Sequence, residues 1–193
     1  AVLSRLRANK DAWVRIDMRE RLSLLDEVRQ DFISLGERWV AAELEAKRIA
    51  PNSLGEAEEW AILATVHRAL RTLRQSLAEI EKLGEPKVPG PIALRPNGQV
   101  VAQTFTLTVW DRLLFLGAKG EVWMEPGVGI EETIAAQAAA YKETERQGKV
   151  CLVLGAGNAS MLPITDLLDK LFVELQVVVL KPNPVNAHMG PLI

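Results

Sequence analysis

The sequence has few of the residues on which metal sites and disulfide scaffolds depend. Its 193 residues include one cysteine, Cys151, and two histidines, His67 and His188, which lie far apart in the chain. One cysteine excludes an internal disulfide and a multi-cysteine metal site, and neither histidine has a metal-like pattern of partners. We therefore predict no metal. The single cysteine also favours a reducing, cytoplasmic compartment.

Charge and hydropathy argue against two kinds of partner. The formal net charge is -2, whereas a phosphate-binding surface needs a basic excess, so we predict no nucleic-acid partner. No apolar run approaches the ~20 residues of a membrane span, and the first residues lack the pattern of a signal segment. We therefore expect no membrane partner. The 48% hydrophobic and 25% charged residues are typical of a globular protein.

Two long amphipathic helices are predicted in a first region, residues 1–85. Apolar residues recur at steps of three and four between residues 21 and 40, which builds one apolar face. A second apolar stripe follows over 60–80, after a Ser-x-x-Glu capping box at 53–56. Glycine and proline at 84–86 then end that helix. We expect the two helices to pack as an antiparallel hairpin.

The polar residues of these helices are interpreted as surface residues. Glu43, Glu45, Lys47 and Arg48 form a charged group that we interpret as a solvated face. His67 lies one place off the apolar stripe, so we interpret it as a boundary or surface histidine and not as a catalytic one. These helices thus offer no candidate for catalysis.

A β-hairpin arm is predicted for residues 86–128. After a proline-rich connector, the dipeptide Asn97-Gly98 between short apolar segments strongly indicates a tight hairpin turn. Alternating threonine and apolar residues predict a strand over 104–109. The sequence EVWMEPG at 121–127 predicts another strand, which Pro126 and Gly127 close.

The third region, residues 129–193, begins with a predicted helix. Glu131 and Glu132 lie in its first turn, Arg146 lies in its last, and Gly148 follows, in the order that the helix dipole favours. Its alanines suggest close packing against a neighbour.

A strand, a helix and a second strand follow. The run VCLVL at 150–154 is typical of a parallel strand covered on both faces. A helix over 163–174 and a buried strand over 177–180 complete a right-handed βαβ unit, and a further helix is expected past Pro184. The predicted fold class is α/β, and this unit is the opening half of a nucleotide-binding fold.

The turn after the first of these strands, GAGNAS at 155–160, only partly matches the G-x-G-x-x-G fingerprint because Ser160 replaces its last glycine. The acid that usually follows the second strand is also missing, and Lys181 stands in its place. A lysine can donate to ribose hydroxyls or pair with a 2′-phosphate. From these residues alone, either a cofactor is held in a different manner or there is none.

The stretch GAGNASMLPITDLLDKLFVELQVVVLKPNPVN resembles the start of the cofactor-binding domain in the aldehyde dehydrogenase superfamily. The resemblance rests on Asn158 in the turn, Pro163 at the helix start, and the pair Lys181-Pro182 after the second strand. It implies an N-terminal helical hairpin and a β-hairpin arm that lead into the first βαβ unit of an incomplete, aldehyde-dehydrogenase-like Rossmann domain.

The resemblance also implies a site. Asn158 is the matching position for the amide that donates to the aldehyde oxygen as it becomes an oxyanion, and Lys181 for the lysine that touches the adenosine ribose of NAD or NADP. The other implied cofactor-binding residues are Leu154, Gly155, Ala156, Gly157, Pro182 and Asn183. The alternative for Asn158 is a turn residue stabilised by its own side chain.

Four positions depart from the family pattern. Gly157 and Ser160 replace an aromatic residue and a proline around the asparagine. Pro184 replaces a glutamate that reads the ribose hydroxyls, which leaves NAD and NADP both open. Leu175 stands where a glycine usually closes the helix, and should end it less favourably. These departures suggest a divergent branch that acts on an aldehyde or an acyl thioester.

The catalytic cysteine and glutamate of the family lie downstream of the residues present here. Cys151 lies in an apolar strand, where a cysteine is usually an inert small hydrophobe. The chain opens on Ala1 and closes on NAHMGPLI, which resembles an unfinished helix. We therefore expect this chain alone to be inactive and to need the remaining C-terminal portion of an enzyme.

The hairpin around Asn97-Gly98 resembles the family's association arm, so a homo-oligomer is expected. Two alternatives stay open for the chain as a whole. One is another NAD(P)-binding Rossmann oxidoreductase, and the other is a non-catalytic helical interaction module.

Overall fold

The computed structural model describes residues 2–193, and the chain folds as a mixture of helices and small sheets. The first half is helical. Asp17 caps the second helix by accepting a hydrogen bond from the Glu20 backbone N–H at 2.8 Å. The four helices of this half are α1 Val2–Arg15, α2 Met18–Ser34, α3 Gly36–Lys47 and α4 Leu54–Leu83.

Helices α2 and α4 pack antiparallel, as predicted. Their side-chain contacts run in opposite directions along the two helices: Arg19 pairs with Glu81, Arg74 with Asp26 at 2.6 Å, and His67 lies edge-on to Phe32. His67 is half-buried at this boundary, and burial lowers the pKa of its imidazole. The apolar stripes of the two helices face each other in one core.

The ends of α4 follow the local signals. Ser53 accepts a hydrogen bond from the Glu56 backbone N–H at 3.4 Å, while the Glu56 carboxylate accepts from the Asn52 backbone N–H. The Glu56 carboxylate therefore bonds to the residue before Ser53 and not to the Ser53 N–H that the predicted capping box implies. Gly84 ends the helix with φ +84, a left-handed conformation that glycine adopts without a steric penalty.

The predicted continuous helix over 21–40 is wrong, because the chain kinks between α2 and α3. The Ser34 hydroxyl donates to the Asp31 carbonyl at 2.7 Å, a side-chain bond that competes with the helix ladder. Gly36 then packs closely on Leu63, where an added Cβ would lie 3.2 Å from a methyl carbon. The kink keeps Trp39 in the core.

The predicted solvated face on α3 is also wrong for one of its members. Glu43 is 0% exposed and Glu59 of α4 is 2% exposed. Lys47 bridges them, with Nζ 2.7 Å from Glu59 and 3.1 Å from Glu43. His188 Nε2 lies 3.6 Å from the same Glu43 oxygen. Glu43 is buried because its face of α3 packs against α4 and the C-terminal segment.

The arm is a three-stranded antiparallel sheet with one short helix. Its elements are β1 Ile92–Leu94, β2 Val100–Phe105, α5 Val109–Leu114 and β3 Gly120–Trp123, in the sheet order β1-β2-β3. Leu94 pairs with Val100 across the hairpin, and Gly98 takes φ +81 in its turn. The predicted Asn97-Gly98 hairpin and the strand near 121 are therefore confirmed.

The predicted strand over 104–109 is wrong from residue 106 onward. Strand β2 ends at Phe105, and Thr108 instead caps α5 through a reciprocal capping box with Asp111. Asp111 also accepts hydrogen bonds from the Arg68 guanidinium of α4. The Thr-x-x-Asp sequence is a helix-start signal that the threonine alternation obscured.

Asp111 makes the stability of the arm depend on pH. The Arg68 guanidinium, followed by the Thr108 and Leu107 backbone N–H groups, holds the pKa of the Asp111 carboxyl far below its ordinary value. A lowered pKa stabilises the fold above the unfolded-state value of about 3.9, and this stabilisation is lost as the pH falls below it. We expect Asp111→Asn to destabilise the protein at pH 7, and we expect its difference from wild type to begin to narrow as the pH falls below about 3.9.

Urea unfolding of both proteins at pH 7, 5 and 3 measures this difference. The same substitution in an Arg68→Met background is the control, and there the loss at pH 7 should be smaller because the guanidinium is gone. A difference in the free energy of unfolding between wild type and Asp111→Asn that stays constant across the pH range would contradict the prediction.

The helix predicted with Glu131 in its first turn and Arg146 in its last is wrong as a single element. Two short helices stand in its place, α6 Ile130–Ala135 and α7 Ala139–Lys142, separated by Ala138 in a left-handed conformation with φ +53. The Tyr141 hydroxyl donates to the Phe172 carbonyl at 2.5 Å, and this hydrogen bond anchors α7 to the segment before β5.

Gly148 is also not the helix cap that its position suggested. It packs against α1 so closely that an added Cβ would lie 2.2 Å from the Lys10 carbonyl oxygen. Its N–H donates to Asp11 at 2.9 Å, and its carbonyl accepts from the Lys10 ammonium at 2.9 Å. A glycine is needed here for the close approach of two backbones.

The βαβ unit forms as predicted. Strand β4 Val150–Leu154 pairs in parallel with β5 Val177–Lys181, and Val150 faces Val177 across the sheet. Between the strands lie α8 Leu162–Leu168 and a π-helical segment, Asp169–Val173. The expected helix past Pro184 is a 3₁₀ segment, Pro184–Leu192.

The prediction that β4 is covered on both faces is wrong. Leu152 is 60% exposed and Leu154 is 65% exposed, whereas Val153 is buried. The two leucines lie on the same face of the two-stranded parallel sheet, and within residues 2–193 that face is largely uncovered at these positions. The apolar run VCLVL therefore does not indicate a strand that is buried on both faces.

One hydrophobic core joins the first and third predicted regions. Leu25, Trp39 and Leu70 of the helical half belong to the same buried cluster as Phe172 and Met189. Trp13 of α1 lies edge-on to Phe172 at 5.9 Å, and its indole N–H donates to the Leu171 carbonyl. The βαβ unit is thus packed on the helices that precede it.

Leu175 closes the helix before β5 in a left-handed conformation with φ +56, and it is buried. A non-glycine residue pays about 1 kcal/mol there. We expect Leu175→Ala and Leu175→Gly both to destabilise the fold through lost burial, with the glycine variant about 1 kcal/mol the more stable.

Urea unfolding of the two variants gives this difference directly. Leu168 is the matched control, because it is equally buried but helical. Leu168→Ala should be more stable than Leu168→Gly by about 1 kcal/mol, because alanine is favoured over glycine within helices. If Leu175→Ala were as stable as Leu175→Gly or more stable, the left-handed conformation at residue 175 would not be strained.

Candidate functional site

The predicted site residues lie at one edge of the parallel sheet. Leu154 ends β4 directly beside Lys181 at the end of β5, and the Gly155 N–H donates to the Lys181 carbonyl at 2.9 Å. Both strands therefore present their carboxyl ends there, the edge at which parallel α/β sheets bind ligands. The stretches 154–158 and 181–183 are brought together.

The two glycines of the turn lie close to other parts of the chain. A Cβ on Gly155 would lie 3.2 Å from the Asn183 nitrogen and from a ring carbon of Pro163. A Cβ on Gly157 would lie 3.0 Å from the Asn183 side-chain amide. The small residues thus allow the turn to pack on the segment that follows β5.

Two asparagines of that segment lie against the turn, and one of them, Asn186, forms a hydrogen bond to it. The Asn183 side-chain oxygen accepts from the Val185 N–H at 3.0 Å and so starts the 3₁₀ segment. Asn186 is buried and donates from its amide to the Ala156 carbonyl at 2.9 Å. Sequence reasoning missed Asn186. No local pattern marks this bond, because residues 156 and 186 lie 30 positions apart in the chain.

Asn158 lies on the surface of the turn. Its side chain is exposed, and the side-chain hydrogen bond that braces the turn runs from Asn186 to the Ala156 carbonyl and does not involve the Asn158 amide. An exposed, neutral amide can donate to an oxygen that carries developing negative charge. Two residues later, Ser160 is buried, and its hydroxyl has no partner among the described residues.

The Lys181 side chain is exposed at the end of β5, and Pro182 after it is half-buried. The ammonium provides three donors and one positive charge at an edge that otherwise offers backbone groups and amides. This donor set suits ribose hydroxyls or a phosphate, and it offers no carboxylate of the kind that ordinary dinucleotide folds use.

Cys151 is a free thiol inside β4, half-buried and paired across the sheet with Val178. It lies three residues before the end of the strand, and the exposed Asn158 follows that end. Among residues 2–193, no group of three or more histidine, cysteine, aspartate or glutamate side chains is arranged to hold a metal ion.

Comparison of the chain with protein-family models, curated proteins and solved structures finds no match. Over the described residues, no helix combines the length and the apolar character needed to cross a bilayer.

Proposed function

We propose that this chain is the N-terminal part of an NAD(P)-dependent oxidoreductase similar to the aldehyde dehydrogenases. The observation that supports this most is the exposed amide of Asn158 directly after β4, at the same sheet edge as the exposed ammonium of Lys181. The substrate is a small aldehyde or, in the reverse direction, an acyl thioester.

The residues of this edge divide into two tasks in this proposal. Asn158 donates a hydrogen bond to the substrate oxygen as negative charge develops on it, which stabilises the transition state more than the ground state. Lys181 donates to the adenosine ribose, or to a 2′-phosphate in NADP. The backbone of Leu154, Gly155, Ala156 and Gly157 lines the dinucleotide, together with Pro182 and Asn183.

The residues present fit the adenosine end of NAD or NADP in the chemistry of their donors. The cofactor accepts the hydride when bound, while the chain orients the substrate oxygen and the sugar. A thiolate nucleophile and a carboxylate base come from the remaining C-terminal portion of the enzyme in this proposal. Cys151 is too far inside β4 to serve as the nucleophile.

The arm supports assembly into a homo-oligomer, and it also favours the alternative of a non-catalytic interaction module. Trp110, Leu114 and Leu116 on and after α5 are more than two-thirds exposed. Large exposed apolar side chains grouped on one element are typical of interaction surfaces. Such a module needs no cofactor, so cofactor binding separates it from the enzyme.

The test is cofactor binding and activity with and without a complementary C-terminal fragment. We expect no aldehyde-dependent NAD(P)H production from the chain alone, and production when the fragment is added. Lys181→Ala should raise the Kd of the cofactor about tenfold, because a charge-assisted hydrogen bond is lost.

Lys119→Ala is the control, since Lys119 is an exposed lysine on the arm. Parallel titrations with NAD and NADP decide which of the two dinucleotides Lys181 helps to bind. An unaltered Kd in Lys181→Ala would refute its assignment. Absence of cofactor binding by the complemented protein would favour the interaction module.

A further inference from the structure

A large cavity lies away from the sheet edge, where α1 meets α2. It has a volume of about 930 Å³ and extends to the end of α4 and to the segment around α7. Val14, Ile16 and Met18 line one side, Ile80 of α4 lines another, and Arg21 also lines it. A cavity of this size is in the range of small-molecule sites.

Arg21 is the unusual residue of this cavity, because its charged side chain is only 1% exposed. One guanidinium nitrogen, Nη2, donates to the Trp13 carbonyl at 2.9 Å and to the Ile16 carbonyl at 3.3 Å. The guanidinium carbon lies 4.8 Å from the centre of the Trp13 ring. These contacts place a cation at the C-terminal end of α1, where the helix dipole favours it.

The other terminal nitrogen, Nη1, is buried and has no hydrogen-bond partner among residues 2–193. No carboxylate in that part of the chain forms an ion pair with Arg21, although the protein pairs many of its other cations. Burying an ionised group without an opposite charge is costly, and a buried donor without an acceptor adds to that cost.

A second guanidinium lies nearby and also lacks a paired acid. Arg146 donates to the Tyr141 carbonyl at 2.6 Å and to the Glu143 carbonyl at 3.1 Å, both of which are backbone groups. Burial, with a smaller contribution from Arg146, lowers the pKa of the Arg21 guanidinium, while Tyr141 and Glu20 act in the opposite direction. Both guanidinium groups thus bond to backbone carbonyls and not to a carboxylate of residues 2–193.

The rest of the lining restricts the kind of anion. Its basic side chains are balanced by acidic ones at Asp17, Glu81, Glu143 and Glu145, so the cavity has no positive excess that would attract a multiply charged phosphate. The aliphatic side chains beside Arg21 instead suit an apolar group. One negative charge joined to a short apolar chain satisfies both conditions.

We propose that this cavity binds a small aliphatic monocarboxylate, whose carboxylate pairs with the Arg21 guanidinium and whose chain lies against Ile16, Met18 and Ile80. This site is separate from the sheet edge and does not depend on the dehydrogenase proposal. The ligand accepts the hydrogen bond that Nη1 otherwise lacks. A planar guanidinium is well matched to a carboxylate for this purpose.

The first test uses the wild-type chain alone. Calorimetric titration should show that hexanoate binds at least about tenfold more tightly than its neutral counterpart hexanamide, since only the former carries the charge. Inorganic phosphate should bind more weakly than hexanoate. In an ¹H–¹⁵N spectrum, the shifts caused by hexanoate should fall in residues 14–21, 80–84 and 141–146.

Variants then assign the two halves of the ligand. Arg21→Met should weaken hexanoate binding at least about tenfold. Met18→Ser should weaken the binding of hexanoate but leave the affinity for acetate unchanged. Arg74→Met is the matched control, because Arg74 pairs with Asp26 outside this cavity. Equal binding of hexanoate and hexanamide, tighter binding of phosphate, or no saturable binding would each overturn the proposal. So would unaltered hexanoate affinity in a folded Arg21→Met.

Discussion

Replacing Lys47 with methionine should lower the free energy of unfolding by about 3 kcal/mol at pH 7. Lys47 is the cation between two carboxylates that are almost fully buried, Glu43 and Glu59. Removing one partner of a buried ion pair leaves an uncompensated charge in the interior, and typically costs about 3–5 kcal/mol. The lower end applies because the Lys47 side chain is partly exposed.

The ionisation of Lys47 agrees with this role. Burial lowers the pKa of its ammonium, but the hydrogen bonds to Glu59 and Glu43 outweigh burial and leave the pKa above its ordinary value. A raised pKa stabilises the fold below the unfolded-state value of about 10.4, and this contribution is lost as the pH rises through the folded-state pKa. The cluster is therefore fully effective at pH 7.

Chemical unfolding followed by tryptophan fluorescence measures the effect of Lys47→Met. Lys170→Met is the matched control, since Lys170 also pairs with two acids, Asp169 and Glu174, but the side chains of these acids are 48% and 41% exposed. It should change stability little. Adding Glu59→Gln to Lys47→Met should recover part of the loss, because one buried charge is removed. A Lys47 variant as stable as the Lys170 variant would contradict a buried charge cluster.

Replacing Asn158 with alanine in the complemented enzyme should lower kcat by about 10²–10³-fold. This magnitude corresponds to ~3–4 kcal/mol and is typical of removing one side-chain donor to an oxyanion. The KM for the cofactor should stay within about twofold, because an interaction made mainly in the transition state does not contribute to ground-state binding.

The controls separate this role from a structural one. Asn97→Ala removes an asparagine from the hairpin turn, where its side chain accepts from the Gln99 N–H, and should leave kcat unchanged. Asn186→Ala removes the brace under Ala156 and should lower stability as well as activity. If Asn158→Ala alters kcat and the cofactor KM equally, Asn158 does not stabilise an oxyanion.

Much of the fold follows from signals that extend over a few residues. Apolar steps of three and four predicted α2 and α4 and their packing, and Asn97-Gly98 predicted the hairpin. The apolar runs around a glycine-rich turn predicted the βαβ unit. These signals succeed because backbone propensity, capping and turn geometry depend on near neighbours in sequence.

The errors occur where a distant contact outweighs a local preference. Alanine-rich sequence favours a continuous helix, but Ala138 adopts a left-handed conformation beside the anchored Tyr141. Glu43 has the sequence neighbourhood of a surface residue, and only its packing against α4 and the C-terminal segment removes it from water. Neither outcome has a marker in the nearby sequence.

The candidate site divides in the same way. The sequence alone determined that a glycine-rich turn with Asn158 follows one parallel strand and that Lys181 ends the next. Only the tertiary structure decided that Asn186 forms a hydrogen bond to that turn, and that Arg21 is buried without an acid. Hydrogen bonding and burial join residues that lie far apart in the chain, so short-range sequence patterns do not encode which polar groups find partners.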